Sequence, residues 1–167
     1  MLLYVYSLMH YYKLLTLLLA TSLTSLNAIT NVFVSGGSFS NPYYDFYTDS
    51  SGTTEFSKTL TTGETYNFFR LNSATSHPFY VSDAGYNQAS TDALQLSGDG
   101  SAASGITGSQ SFSLFVENDF DAQLYYYCSA HASMVSTFEV VAVPEPASYP
   151  LAIGFSALLY LASRRRR

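Results

Sequence analysis

Residues 29–143 contain turn residues (Gly, Ser, Asn, Asp and Thr) at short intervals along their whole length. The apolar residues between them show almost no 3.6-residue periodicity, which argues against helices. Short segments rich in β-branched and aromatic side chains lie between the turns, as is typical of strands. This part of the chain is therefore predicted to be all-β.

Seven strands are predicted from this pattern. The segment Ser111 to Val116 alternates clearly, because Phe112, Leu114 and Val116 fall on one face. Seven short strands in this length fit a two-sheet β-sandwich with Greek-key connections. The predicted strands are Ile29 to Val34, Tyr43 to Tyr47, Thr65 to Leu71, Pro78 to Val81, Ser111 to Val116, Leu124 to Cys128 and Thr137 to Val143.

The stretch Ala84 to Gln110 differs from the rest, being rich in Gly, Ser, Ala and Asp with few large apolar residues. We expect it to be a long surface excursion. A variable insertion without function is its simplest interpretation, because mobile loops tolerate such composition.

The first 28 residues are typical of a signal peptide. Lys13 precedes a short apolar run, Leu14 to Ala20, and small and polar residues then lead to Ala28. We expect export and cleavage near Ala28, with Met9 as an alternative start. A membrane anchor is the other interpretation, but the uninterrupted apolar run is short for a membrane span.

Residues 144–167 combine Pro144-Glu145-Pro146, an apolar stretch and four arginines, Arg164 to Arg167. As a helix, Ala147 to Ser163 would reach about 25 Å, enough for a thin bilayer, with the arginines in the cytoplasm. The three parts in this order resemble the PEP-CTERM sorting signal of Gram-negative bacteria. That resemblance implies recognition by an exosortase, cleavage near Pro-Glu-Pro and delivery to the cell surface or extracellular matrix. On the residues alone, the segment is a plain tail anchor.

The region between the two ends is strongly acidic. Lys58 and Arg70 are its basic residues, against eleven Asp and Glu, so the formal charge is 2 − 11 = −9. Such a domain repels nucleic acid and anionic membrane surfaces, and it favours cationic partners or bound cations. Acidic charge that keeps a Tyr-rich surface soluble is an equally simple explanation.

Four candidate metal ligands lie in two segments, "SHPFYVSD" and "YYYCSAHASM": His77 in the first, and Cys128, His131 and Met134 in the second. Cys128 is the only cysteine of an exported chain, so it cannot form an internal disulfide. We expect it to be buried, paired with another chain or bound to metal.

The spacing allows one tight loop to turn Cys128, His131 and Met134 toward a common point, with His77 arriving from another strand. Two imidazoles and a thiolate with a weak axial thioether suit copper, which cycles between Cu(I) and Cu(II). Zinc would more often recruit further Cys, His or carboxylate ligands, and calcium or magnesium would not use sulfur. Copper is the predicted ion.

The run from Tyr126 to Met134 matches Tyr-x-Cys-x-x-His-x-x-Met, and the domain therefore resembles a cupredoxin, a small blue-copper protein. The resemblance implies one type 1 copper ion held by His77, Cys128, His131 and Met134. Two positions depart from the family pattern. Pro78 follows the upstream histidine without a backbone N–H, and Val135 stands where many members have glycine after the methionine.

Each candidate ligand also has a plainer interpretation. Cys128 can be a small buried hydrophobic residue and Met134 can fill a gap in the core. His131 can cap a turn, and His77 can simply precede a strand.

We expect single-electron transfer to a redox partner protein, with His131 as the exit and acidic patches that attract a cationic partner. No open coordination position or general base is indicated, so an enzyme is not expected. Two alternatives use the same residues differently. The protein captures or delivers copper at the cell surface, or it is a structural matrix protein whose sandwich has lost copper.

Overall fold

The computed structural model describes residues 28–143, in which nine β-strands follow one another. The predicted signal peptide, apart from Ala28, and the predicted sorting tail at 144–167 lie outside the described residues. Within the described range, no helix has the length and hydrophobicity that a membrane crossing needs. The strands are β1 (Ile29–Val34), β2 (Phe46–Tyr47), β3 (Thr59–Thr61), β4 (Thr65–Arg70), β5 (Phe79–Ser82), β6 (Leu94–Gly98), β7 (Ser111–Val116), β8 (Leu124–Cys128) and β9 (His131–Val141), with a 3-10 turn at Leu71–Ser73 after β4.

The strands form two sheets, and each sheet mixes parallel and antiparallel pairs. The first has five strands in the order β2-β1-β4-β7-β6, and the second has four in the order β3-β9-β8-β5. β1 runs parallel to β4 and β3 runs parallel to β9, whereas the other neighbours are antiparallel. For residues 28–143, the prediction of an all-β domain in two sheets is confirmed.

Aromatic side chains fill the space between the sheets. Phe68 on β4 lies with its ring centroid 5.6 Å from that of Phe79 and 5.9 Å from that of Phe138, both in the other sheet. The predicted face of β7, Phe112 to Val116 at every second residue, is buried in the same core. Burial of each such side chain contributes roughly 1.5–3 kcal/mol to stability. This packing fixes the strand ends from which the site below is built.

Three predicted strands coincide with observed ones: Ile29–Val34, Ser111–Val116 and Leu124–Cys128. The last strand was predicted to start at Thr137, but β9 starts at His131. The difference arises because β8 and β9 form a tight hairpin in which Cys128 pairs with His131. Composition alone does not show such a pairing.

The expectation that Ala84 to Gln110 is only a surface excursion is wrong for two parts of it. Leu94–Gly98 forms β6, an edge strand whose five residues pair with β7. Ile106 is fully buried and pairs with Phe79 through an isolated bridge. An edge strand gains its hydrogen bonds from its neighbour, so a segment poor in large apolar residues can still form one.

Candidate metal centre

Three of the four predicted ligands come from strand ends at one end of the sandwich. Cys128 is the last residue of β8 and pairs with Phe79, the first residue of β5. His77 lies two residues before Phe79, and His131 is the first residue of β9, opposite Cys128. The strand register therefore brings two distant segments of sequence to one point.

The donor atoms of these three residues face one another. The sulfur of Cys128 lies 3.3 Å from Nδ1 of His131 and 3.9 Å from Nδ1 of His77, and the two Nδ1 atoms are 3.2 Å apart. Ligands bound at about 2.0–2.3 Å from one ion are separated by roughly 3.3–4.0 Å in trigonal or tetrahedral sites. The three residues could therefore hold a metal ion.

The donors differ in their access to solvent. Cys128 is fully buried, whereas His77 and His131 are partly exposed. A buried thiol next to two imidazoles is shielded from bulk water on the protein side, and the imidazoles reach the surface. This arrangement protects the sulfur and leaves the histidines as the contact between the site and the outside.

Met134 is also fully buried, in the same apolar cluster as Cys128. The pairing of β8 with β9 shifts between Tyr127, which opposes Val135, and Cys128, which opposes His131. Residues 132–134 therefore have no opposite residue on β8 and form a bulge in β9. Ligation by Met134 stays a prediction, and its burial agrees equally well with core packing.

Two hydrogen bonds hold the backbone at His77 and at the following residue, Pro78. The hydroxyl of Tyr44 donates to the carbonyl oxygen of His77 at 2.8 Å, and the amide of Ser129 donates to the carbonyl oxygen of Pro78 at 2.9 Å. His77 itself has a φ of 46°, in the left-handed region that costs a non-glycine residue about 1–2 kcal/mol. The surrounding bonds keep this conformation, which turns the imidazole toward Cys128.

Arg70 is a buried cation next to the histidine segment. Only 4% of its surface is exposed, and its Nη2 donates to the carbonyl oxygen of Ser76 at 2.8 Å. The carbon of its guanidinium lies 5.5 Å from the centroid of the Tyr44 ring. Burial raises the pKa of Tyr44, with nearby Cys128 adding to the rise and Arg70 opposing it, so the hydroxyl remains a donor.

Phe39 covers the two imidazoles from outside. Its ring centroid is 5.0 Å from that of His77 and 5.0 Å from that of His131, with both contacts edge-on. Although it makes these contacts, 65% of Phe39 is exposed. The phenyl ring restricts how far either imidazole can swing away from the sulfur.

Sequence reasoning did not identify Tyr44, Arg70 or Phe39 as part of the site. For Arg70 a signal exists, because it follows Tyr66 and Phe68 at alternate positions of β4 and so falls on the inward face. Tyr44 and Phe39 lie in the segment between β1 and β2, and no local pattern places them near the histidines.

The backbone at Gly37 passes very close to this cluster. Gly37 has a φ of +80°, and a Cβ there would lie 2.8 Å from Cε1 of Tyr44 and 3.2 Å from Cβ of His77. Gly37→Ala is therefore expected to lower the free energy of unfolding by about 1–3 kcal/mol and to weaken metal binding, because His77 must shift. Urea unfolding and metal titration measure the two effects.

Gly85→Ala is the matched control for that substitution. Gly85 also has a positive φ, +102°, but a Cβ there meets no atom within 4 Å. Gly85→Ala is expected to lower the free energy of unfolding, because alanine is strained at this φ, and to leave metal affinity unchanged. Equal loss of affinity in both variants would contradict the role given to Gly37.

The metal-free protein is expected to lose stability as the pH falls from about 7.5 to about 5.5. Partial desolvation lowers the pKa of His77 from 6.5, and the charges of His131 and Arg70 lower it further. The unfolded chain then takes up a proton more readily than the folded one. Stability is therefore complete above the unfolded pKa and declines as the pH drops through it.

Urea unfolding at the two pH values measures this decline, with His77→Asn as the comparison. Hydrogen bonding, first from Ser51, holds the pKa of Asp49 below its usual range, so this carboxyl does not contribute to the decline. The variant is expected to show a smaller decline than the wild-type protein. An equal decline in both would remove His77 as its cause.

Comparisons of the chain with protein families, with curated proteins and with solved structures find no match.

Proposed function

We propose that this protein binds one copper ion through His77, Cys128 and His131 and carries single electrons. The main support for this proposal is the short distance between the three donor atoms, which all lie within 4.8 Å of one another. Two imidazoles and one thiolate are the donor set that suits copper in both oxidation states. Copper bound here would supply a one-electron couple.

The residues of the site support this role by being held in place. His77 is fixed through the Tyr44 hydrogen bond, and Cys128 is fixed by its pairing with Phe79 and His131. Ligands that need little rearrangement between two charge states favour fast electron exchange. The partial exposure of His131 offers a route between the buried sulfur and a partner protein.

We also propose a cupredoxin-like Greek-key topology in which Met134 would be a fourth, weak ligand of the copper ion. Support comes from the two mixed sheets and from the position of the ligands at one end of the sandwich, on the β8–β9 hairpin and before β5. The bulge at residues 132–134 supplies the extra length that a ligand loop needs.

The setting proposed for this function is the surface of a Gram-negative bacterium. The signal peptide and the sorting tail predicted from sequence would export the domain and present it to an exosortase. The formal charge of −9 over residues 29–143 favours a cationic redox partner.

The test is to add Cu(II) to the purified full-length chain and record its visible and EPR spectra during cycles of reduction and oxidation. One equivalent of copper, an intense visible thiolate band and reversible bleaching are the expected results. A colourless protein that holds only Cu(I) would indicate copper capture in place of electron transfer. A protein that binds no copper would be a structural one, and the proposal would fail.

A further inference from the structure

Arg70 carries a buried positive charge that metal ligation does not use. Its Nε donates to the carbonyl oxygen of Ala74 at 3.4 Å and its Nη2 to that of Ser76 at 2.8 Å. Its Nη1 has no hydrogen-bond partner among residues 28–143. Both hydrogen-bond partners of the guanidinium are thus neutral carbonyls, although burial of a charge is costly unless an opposite charge accompanies it.

The contacts of Arg70 place its guanidinium beside the metal centre, where the thiolate of Cys128 would supply the opposite charge. The guanidinium packs over the ring of Tyr44, whose hydroxyl bonds to the backbone of His77. Ser76, whose carbonyl oxygen accepts from Nη2 of Arg70, is the residue before His77. Burial lowers the pKa of Arg70, and this is opposed first by Tyr44 and then by Cys128, so the guanidinium lies within electrostatic reach of the sulfur.

We propose that Arg70 is a fixed positive charge beside the metal centre that makes the site prefer a monovalent over a divalent ion, and therefore reduced over oxidised copper. This inference rests on the proposed copper site. A thiolate with a monovalent ion is neutral overall, and Arg70 has little net interaction with it. A thiolate with a divalent ion carries a net charge of +1, which Arg70 repels across a poorly solvated interior.

Arg70 also acts as a positioning residue. Two nitrogens of its guanidinium donate to the carbonyl oxygens of Ala74 and Ser76, and these bonds fix the segment that leads into His77. Loss of position and loss of charge must therefore be separated in the test. Arg70→Lys keeps the charge and gives up the fork, whereas Arg70→Met removes the charge and keeps much of the apolar volume.

The experiment measures the affinities of the full-length chain for Ag(I) and Zn(II), two redox-inert ions, by competition with chelators. In Arg70→Met, the ratio of Ag(I) to Zn(II) affinity is expected to fall by about tenfold or more. Arg70→Lys is expected to keep a ratio close to that of the wild-type protein. Arg70→Gln provides a second neutral side chain if Arg70→Met does not fold.

Lys58→Gln is the control for net charge. It removes one positive charge from the residue just before β3, the strand that pairs with the end of β9 remote from His131. Its ratio is expected to match that of the wild-type protein. A ratio that is unchanged in Arg70→Met, or that falls equally in Lys58→Gln, overturns the inference.

The outcomes separate this inference from the proposed function. One outcome is that the wild-type protein takes up Cu(II) with colour and reversible reduction while the ratio of Ag(I) to Zn(II) affinity is the same in Arg70→Met as in the wild-type protein. In that case only the charge role of Arg70 fails. If the ratio falls in Arg70→Met but the wild-type protein never shows a Cu(II) thiolate band, electron transfer fails and the charge role stands. In a redox-active protein, the reduction potential of Arg70→Met is expected to lie below that of the wild-type protein.

Discussion

Cys128→Ser is expected to abolish the intense visible absorption of the copper-loaded protein. It is also expected to lower the copper affinity by more than about 100-fold, because mutation of residues that only support a ligand already costs 10–100-fold in metal affinity. The absorption requires charge transfer from a thiolate, and Cys128 is the one cysteine of the chain. Serine is almost the same size, so the fold should remain. Visible spectra, copper titration and far-UV circular dichroism together measure the result.

Met134→Leu is the matched control, because it removes the thioether sulfur and keeps the thiolate. Both residues are fully buried in one apolar cluster, so the two substitutions share a packing environment. The visible band is expected to survive in Met134→Leu, with a changed reduction potential if the thioether is an axial ligand. A band that survives in Cys128→Ser would contradict thiolate ligation.

Phe79→Ala is expected to lower the free energy of unfolding by about 3–5 kcal/mol, a large part of the total stability of a small domain. Phe79 is fully buried, and its ring lies within 6.4 Å, measured between centroids, of five other aromatic rings, four of them on strands of the two sheets. It also pairs with Cys128 and follows His77 by two residues. The site is therefore expected to weaken together with the core.

Phe33→Ala serves as the control for that loss. Phe33 lies on the outer face of β1, is only partly buried and stacks on Phe69 at 5.3 Å. We expect a cost of about 1 kcal/mol, in the range of an aromatic pair on a sheet surface. Urea unfolding compares the two variants. A cost in Phe79→Ala no greater than that in Phe33→Ala would contradict the packing of the two sheets around Phe79.

The strands that sequence predicted well are those whose side chains carry a strong local pattern. Ser111–Val116 alternates between buried and partly exposed residues along its whole length, and its bounds were predicted correctly. Thr59–Thr61 and Leu94–Gly98 escaped prediction because each combines few large apolar side chains with an edge position, where the hydrogen bonds come from a single neighbour. Pairing of that kind is long-range and leaves little trace in a short window.

The candidate site divides in the same way. Spacing within one loop predicted that Cys128 and His131 would lie together, and a histidine just before a strand made His77 a candidate. The residues around them come from other strands and loops. Arg70 is inward-facing by the alternation of β4, but only the fold shows that β4 ends beside the segment carrying His77.

X-ray absorption spectroscopy of the copper-loaded protein tests the central claim most directly, because it reports the atoms bound to the metal. The wild-type spectrum is expected to show one short sulfur ligand and two imidazoles. His77→Ala is expected to retain the sulfur and lose one imidazole. A wild-type spectrum with nitrogen and oxygen ligands and no sulfur, or an unchanged spectrum in His77→Ala, would contradict a site built from His77, Cys128 and His131.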